Sequence, residues 1–251
     1  MQISVVINTY NAEQYLEQVL KSVKDFDQIV ICDMESTDST LDIAKKYGCD
    51  IFTFPRGKYR IVEPARNFAI SNAKYPYVLV VDADELVTIE LKNYLYRVIE
   101  QPNPPQGLFI QRKNKFMSVY FGNSLKDWQL RFFIKQGTYW PEIIHSLPQI
   151  QGKVEKIPTK EKNAMFIHLD EERLYNRLEK LNRYTDFELQ KKKKREYKTF
   201  ALLYRPTWSF IKSYIIQGGF RYGVRGFIKA KYDAAYQFFT VAKAIEKRLN
   251  K

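Results

Sequence analysis

The chain reads as an α/β protein with a mostly parallel, twisted sheet flanked by helices and a helical, basic C-terminal extension. Three observations predict this. Short apolar runs alternate with helical patterns through residues 1–100. The run Tyr77-Val78-Leu79-Val80-Val81, bounded by Pro76 and by acids, has the composition of a buried parallel strand and ends in Asp82-Ala83-Asp84. The net charge of +13 is confined to the end of the chain: residues 191–251 hold 16 Lys or Arg against 3 Asp or Glu.

The elements follow in order. Residues 3–7 (Ile-Ser-Val-Val-Ile) form a first strand that stops at Asn8-Thr9-Tyr10-Asn11. A helix over 12–23 places Tyr15, Leu16, Val19, Leu20 and Val23 at helical spacing. Residues 28–32 form a second strand closed by Asp33, and Ser36-Thr37-Asp38-Ser39-Thr40 supplies capping oxygens for a helix over 41–47, with Gly48 as its stop. A third strand over 51–54 and a helix over 63–73 lead into the Asp82 strand. Short joins between alternating strands and helices predict a parallel sheet covered on both faces. No glycine-rich phosphate loop follows the first strand, which argues against a standard NAD- or ATP-loop domain.

Gln101-Pro102-Asn103-Pro104-Pro105 interrupts this pattern, and short aromatic strands follow at 107–110 and 130–134, expected to extend the sheet edge. A helix over 171–190 carries Leu174, Leu178, Leu181 and Tyr184 on one stripe. In the tail, residues 209–216 and 224–245 have helical patterns. Cys32 and Cys49 have neither metal-ligand spacing nor disulfide-scaffold density, so a reducing, cytoplasmic location is expected, with Cys32 a small core residue. The N-terminus lacks a signal-peptide pattern, and no apolar run approaches the ~20 residues that span a bilayer.

Two carboxylates one residue apart at a strand's C-terminal end fall where open α/β sheets bind ligands. They repel unless a cation lies between them, and oxygen ligands suit Mg²⁺ or Mn²⁺. Such a cation neutralises a diphosphate, so the chemistry points to a nucleotide-sugar site.

Four segments, in this order and spacing, carry a resemblance: Val5-Val6-Ile7-Asn8-Thr9-Tyr10-Asn11-Ala12-Glu13, Asp33-Met34-Glu35-Ser36-Thr37-Asp38-Ser39-Thr40, Ala65-Arg66-Asn67-Phe68-Ala69 and Val81-Asp82-Ala83-Asp84-Glu85. Asp127-Trp128-Gln129-Leu130-Arg131, Ile144-His145 and Arg205-Pro206-Thr207-Trp208 extend it. The chain resembles an inverting GT-A glycosyltransferase of the large family that includes cellulose and chitin synthases. The likeness is strongest to its lipopolysaccharide-core and capsule glucosyltransferase branch.

The resemblance implies a Rossmann-like GT-A domain whose residues 1–100 bind the nucleotide sugar and whose residues 101–190 form the acceptor side. Thr9, Tyr10 and Asp33 would meet the base, Glu13 would touch the donor's phosphate side or only complement the helix dipole, Arg66 would meet the diphosphate or the base edge, and Asp82 the ribose or a metal-bound water. Asp84 would be the direct ligand of Mn²⁺ or Mg²⁺, Asp82 standing beside it, with His145 completing the shell. Glu85 either supports the site or lies exposed. Asp127 is the first choice for the general base and Glu142 the second. Arg131 either stabilises the leaving diphosphate or pairs with an acid. His145 is followed by Ser146, where the branch usually has Glu, and His168 is expected to be a structural hydrogen-bonding residue.

The expected activity is transfer of a hexose, glucose from UDP-glucose, onto a glycan or glycolipid acceptor. The basic, aromatic tail over 191–251 is expected to lie on an anionic membrane surface, making the protein peripheral on the inner face of the cell membrane; the alternative is a helical cap that packs its aromatics on the sheet and leaves its lysines in water. A nucleotidyltransferase on a similar sheet is one rival. A nucleic-acid-binding module using the tail is another, although nucleic acid is not expected because no zinc-finger or RNA-recognition motif is present.

Overall fold

The computed structural model describes residues 1–57, 62–121, 127–142, 146–169, 174–191 and 197–250. The chain forms two compact units, one of residues 1–113 with 126–169 and one of residues 114–125 with 170–251.

The first unit begins β1 (Ile3–Thr9), α1 (Glu13–Val23), β2 (Gln28–Asp33), α2 (Thr40–Lys46), β3 (Asp50–Thr53) and α3 (Glu63–Ser71). Next come β4 (Tyr77–Asp82), β5 (Glu85–Val87), α4 (Ile89–Ile99) and β6 (Gly107–Lys113). After the segment belonging to the second unit, which holds the small β7 (Lys115–Phe116) and β8 (Val119–Tyr120), the first unit resumes with β9 (Asp127–Ile134). It ends with β10 (Thr138–Tyr139), β11 (Gln149–Ile150), β12 (Val154–Lys156) and β13 (Met165–His168). The main sheet runs β3-β2-β1-β4-β9-β6-β13-β5, with β12 beside β6.

Its first four strands are parallel, as the alternating pattern predicts. The edge is mixed, because β9 runs antiparallel to both β4 and β6. β4 shows why the run must be apolar throughout. Tyr77, Leu79 and Val81 join α1 and α4 in one core, whereas Val78 and Val80 join Ala65, Ala69 and Ile70 of α3 in another. Leu16 and Leu20 of α1 and Leu91 and Leu95 of α4 are fully buried there, each stabilising the fold by about 1.5–3 kcal/mol. Cys32 is likewise fully buried.

Register aligns the ends that matter. Thr9 of β1 pairs with Asp33 of β2, and Asn8 pairs with Asp82 of β4. The chain winds outward from β1 to β3 and returns on the other side at β4, so the reversal of strand order lies between β1 and β4. Ligands of open α/β sheets bind at such a crevice.

The second unit contains α5 (Leu174–Lys191), α6 (Ala201–Ile211), a π-helical turn over Lys212–Ile216, a short 3₁₀ helix (Gly219–Tyr222) and α7 (Gly223–Leu249). The expected helix over 209–216 begins earlier, at Ala201: Pro206 removes one intrahelical hydrogen bond, and α6 continues through it. The stripe expected on α5 also differs. Leu181 is buried, but Leu174, Leu178 and Tyr184 are exposed. The reason is that α7 holds α5 largely through polar groups: the Tyr232 hydroxyl donates to the Arg177 carbonyl, Tyr236 to Glu188, and Lys243 to Asp186.

Candidate active site

All described candidate residues lie in the first unit, and most of them form three clusters, with the Asp84–His168 pair and Glu142 outside these. The first joins the ends of β1 and β2. Asp33 is buried and accepts from the Thr9 hydroxyl at 2.8 Å, the Ser36 hydroxyl at 2.6 Å and the Ser36 amide at 2.9 Å. Glu13 does not stand free toward a ligand. Its carboxylate accepts from the Ser39 amide at 3.0 Å, while its own amide donates to Asp38 at 3.1 Å. This exchange ties the start of α1 to the loop before α2, and the bond from the Ala12 amide to Thr40 reinforces it. Tyr10 remains exposed, with the Arg56 guanidinium stacked 3.5 Å from its ring centroid.

The second cluster centres on Asp82 at the end of β4. One carboxylate oxygen accepts from Arg66 at 3.1 Å and the other from Arg131 at 2.7 Å. Both arginines are buried, one supplied by α3 and one by β9. Both guanidiniums lie against the Trp140 ring, at 4.6 and 5.4 Å. Asn67 fixes Trp140 through two reciprocal backbone bonds. Burial pushes the Asp82 carboxyl up, but Arg131 and Arg66 overcome it and hold it well below the usual carboxylate range. Asp82 is shared by two guanidiniums, with the buried Glu63 acting on Arg66 and the buried Glu85 on Arg131. Nε and Nη1 of Arg66 and Nη1 of Arg131 are buried donors with no partner among the described residues. Unmade charged donors at this depth are costly unless an anion takes them.

The third cluster is a chain of alternating charge. Arg112 donates to Glu85 at 2.9 Å and to Asp127 at 2.8 Å, and Gln129 donates to the second Asp127 oxygen at 2.6 Å. Glu85 is fully buried, so the exposed reading of that residue is overturned: it also accepts from the Asp82 amide. Burial and the nearby Asp82 charge push the Glu85 carboxyl up, with Arg131 and Arg112 opposing them. Asp127 is therefore oriented from both sides, and Arg131 pairs with an acid.

Asp84 lies in the turn between β4 and β5. β5 pairs antiparallel with β13, His168 opposite Glu85, and this register brings His168 Nε2 to 3.1 Å from Asp84 Oδ2. Burial lowers the imidazole's proton affinity, but the bond and charge of Asp84 outweigh it and raise it. Sequence reasoning gave His168 a structural hydrogen bond without its partner. Glu142 is exposed just after Trp140, and His145 lies outside the described residues.

Asp84 and His168 fit a divalent cation in donor type, since carboxylate and imidazole both bind Mn²⁺. Among the described residues no group of three or more His, Cys, Asp or Glu is placed to hold a metal. A cation here would draw its remaining ligands from a bound phosphate and water, as Mg²⁺ and Mn²⁺ sites at phosphate substrates commonly do.

The family model for glycosyl transferase family 2 matches residues 4–153, which contain every described candidate residue except His168. The chain belongs to glycosyl transferase family 2. An uncharacterized family relative, a glycosyltransferase of Rickettsia typhi, is 25% identical over 97% of this chain and 87% of its own length. The lipopolysaccharide core biosynthesis glycosyltransferase LpsC of Rhizobium meliloti is 24% identical over 98% and 92%. Among solved structures, S. aureus TarS 1–349 in complex with UDP-GlcNAc superposes with a TM-score of 0.54 at 17% identity, covering 100% of this chain and 92% of that one. The mannosyltransferase PcManGT of Pyrobaculum calidifontis, solved with GDP-Man and Mn²⁺, gives a TM-score of 0.57 at 12% identity, covering 97% and 87%. These likenesses show the GT-A fold. This family 2 protein is a glycosyltransferase.

Proposed function

We propose that this glycosyltransferase moves a hexose, glucose from UDP-glucose, onto a lipid-linked or polysaccharide acceptor in cell-envelope glycan synthesis, with inversion at C1. Lipopolysaccharide core or capsule is the product class, and the full-length similarity to LpsC supports it. The carrying observation is the pair of buried guanidiniums around Asp82, with charged donors left unmade, together with the Asp84–His168 pair two residues along the chain. A nucleoside diphosphate supplies the missing acceptors.

The base lies against Tyr10, whose ring is already stacked by Arg56. Asp33 and Thr9 shape the base-side floor, and Glu13 acts at one remove by holding the loops on which they sit. Arg66 and Arg131 take the diphosphate oxygens while Asp82 keeps both forks in place. Mn²⁺ or Mg²⁺, held by Asp84 and His168, neutralises diphosphate charge when bound. Asp82 has both oxygens engaged by arginine, so Asp84 and His168 are the residues that would hold the ion. Asp127 removes the acceptor hydroxyl's proton as that oxygen attacks C1 and the bond from C1 to the diphosphate breaks on the opposite face. Arg112 and Gln129 aim the carboxylate. Residues 191–251 meet an anionic membrane surface, where a lipid-linked acceptor resides.

Thermal-shift screening against nucleotide sugars, with and without Mn²⁺, tests the donor. UDP-glucose with Mn²⁺ should raise the melting temperature most, by mass action on the native state. Turnover should release UDP. Release of pyrophosphate would instead establish a nucleotidyltransferase.

A further inference from the structure

α6 and its π turn meet α7 through two kinds of contact. Phe210 and Tyr214 pack on Phe227 of α7, and Leu202 joins the apolar cluster around Val241. Beside them runs a row of small or polar residues, Ala201, Arg205, Ser209 and Ser213, recurring at intervals of four. Arg205 donates twice to Gln237, Ser209 donates to the Asp233 carbonyl, and Ser213 donates to the Asp233 carboxylate at 2.6 Å. The opposite side carries Phe200, Leu203, Tyr204, Trp208, Ile215 and Ile216, each 51–68% exposed. A soluble helix buries its apolar stripe and wets its polar one. Here a second apolar stripe stays exposed while a polar row is held against α7.

The π turn is part of the same design. The Gln217 amide bonds to the Lys212 carbonyl, five residues back, so the turn holds one residue more than an α turn. That extra residue brings both Ile215 and Ile216 to the exposed side. The cations around the stripe, Lys198, Lys212 and Arg221, are exposed as well. Trp and Tyr belong at the boundary between acyl chains and headgroups, and Lys and Arg at anionic headgroups. No helix among the described residues is long and apolar enough to cross a membrane.

We propose that α6 and its π turn lie in the plane of an anionic bilayer surface, with the stripe from Phe200 to Ile216 inserted at the acyl boundary. This rests on the reading of residues 191–251 as membrane-facing and specifies what holds them there. Apolar insertion supplies the affinity, and the surrounding cations add attraction and orientation. The charge of the region matches this occupant: its 16 basic residues against 3 acidic ones suit anionic lipid and would repel a second copy of the same surface.

The test uses the full chain with vesicles of phosphatidylcholine and phosphatidylglycerol. In the unaltered protein, brominated acyl chains should quench Trp208 fluorescence, and Trp208→Phe should remove the quenchable component. Flotation should persist at high salt, because insertion is not screened as charge pairing is. The double variant Leu203→Ser, Trp208→Ser should partition about a hundredfold more weakly, the loss expected from two large apolar side chains. Its hydrolysis of UDP-sugar in solution should stay unchanged, since neither residue belongs to the donor cluster. No quenching of Trp208, or flotation abolished by salt and untouched by the double variant, would overturn the proposal. A stripe that instead holds a dimer, seen as dissociation of the variant by light scattering with flotation intact, would overturn it too. Failure of the donor assignment would show separately, as absence of UDP-sugar hydrolysis by a protein that still floats.

Discussion

Asp84 Oδ2 and His168 Nε2 stand 3.1 Å apart although 84 residues of chain separate them. The antiparallel register of β5 on β13 creates the meeting, and the bond from the Leu169 amide to the Asp84 carbonyl locks it. A carboxylate and an imidazole so placed offer a cation two ligands at the sheet's ligand-binding edge. Asp84→Ala and His168→Ala should each weaken Mn²⁺ binding by about ten- to a hundredfold or more, measured by electron paramagnetic resonance of free Mn²⁺ in the presence of UDP. Unaltered Mn²⁺ affinity in both variants would leave the pair a purely structural bond.

That pair also marks what the amino-acid pattern does and does not reveal. The parallel half of the sheet, the Asp82 turn and the segments carrying Asp33 and Arg66 were legible, because local periodicity and strand-end position fix them. The partner of His168 was not, because β13 is short and its pairing with β5 is long-range. Its one local signal is a histidine closing the apolar triplet Met165-Phe166-Ile167. The burial of Glu85 and the commitment of Glu13 to Ser39 were hidden for the same reason: both depend on partners that only the assembled loops supply. The exposed apolar stripe of α6 is visible in composition as a basic, aromatic tail, but which face points outward depends on α7.

Arg131 tests the diphosphate cradle. Arg131→Lys keeps the charge but loses the planar fork, whereas Arg131→Met loses both. UDP affinity, by calorimetry, should fall about tenfold in the lysine variant, or ~1.4 kcal/mol, and further in the methionine variant. Arg131→Met should also destabilise the fold by about 1–3 kcal/mol, since Asp82 then keeps Arg66 alone. Loss of stability without loss of UDP affinity would confine Arg131 to pairing with Asp82.

The base assignment separates chemistry from binding. Asp127→Asn preserves size and can still meet Gln129, but it cannot accept the acceptor's proton. Its kcat should fall about 10²- to 10⁴-fold with UDP affinity unchanged. Glu142→Gln, measured beside it, should stay within a few-fold of the original enzyme. A reversal of the two results would move the role to Glu142.

The thiols report on core integrity. Burial first, and the neighbouring Asp33 second, push the Cys32 thiol up to about 12, while burial and Asp50 push Cys49 up to about 11. Alkylation requires the thiolate. At neutral pH the native protein should therefore resist iodoacetamide and become labelled at both positions only in denaturant, as read by intact mass. Rapid labelling of either thiol in the native state would contradict the packing of β2 or of the turn before β3.

Gly226 offers a sign test of the second unit. It lies within α7 and faces Gly219: a Cβ built on it would clash with the Gly219 carbonyl oxygen and come within 2.7 Å of its carbon. In a helix interior free of such a neighbour, replacing Gly by Ala stabilises by about 1 kcal/mol. Here backbone must move instead, and overpacking of this kind costs about 1–3 kcal/mol or more. Gly226→Ala should therefore lower the melting temperature of this 251-residue chain by several degrees, at about 2–4 °C per kcal/mol. A rise in melting temperature would mean that α7 and the 3₁₀ helix before it do not approach as closely as their glycines permit.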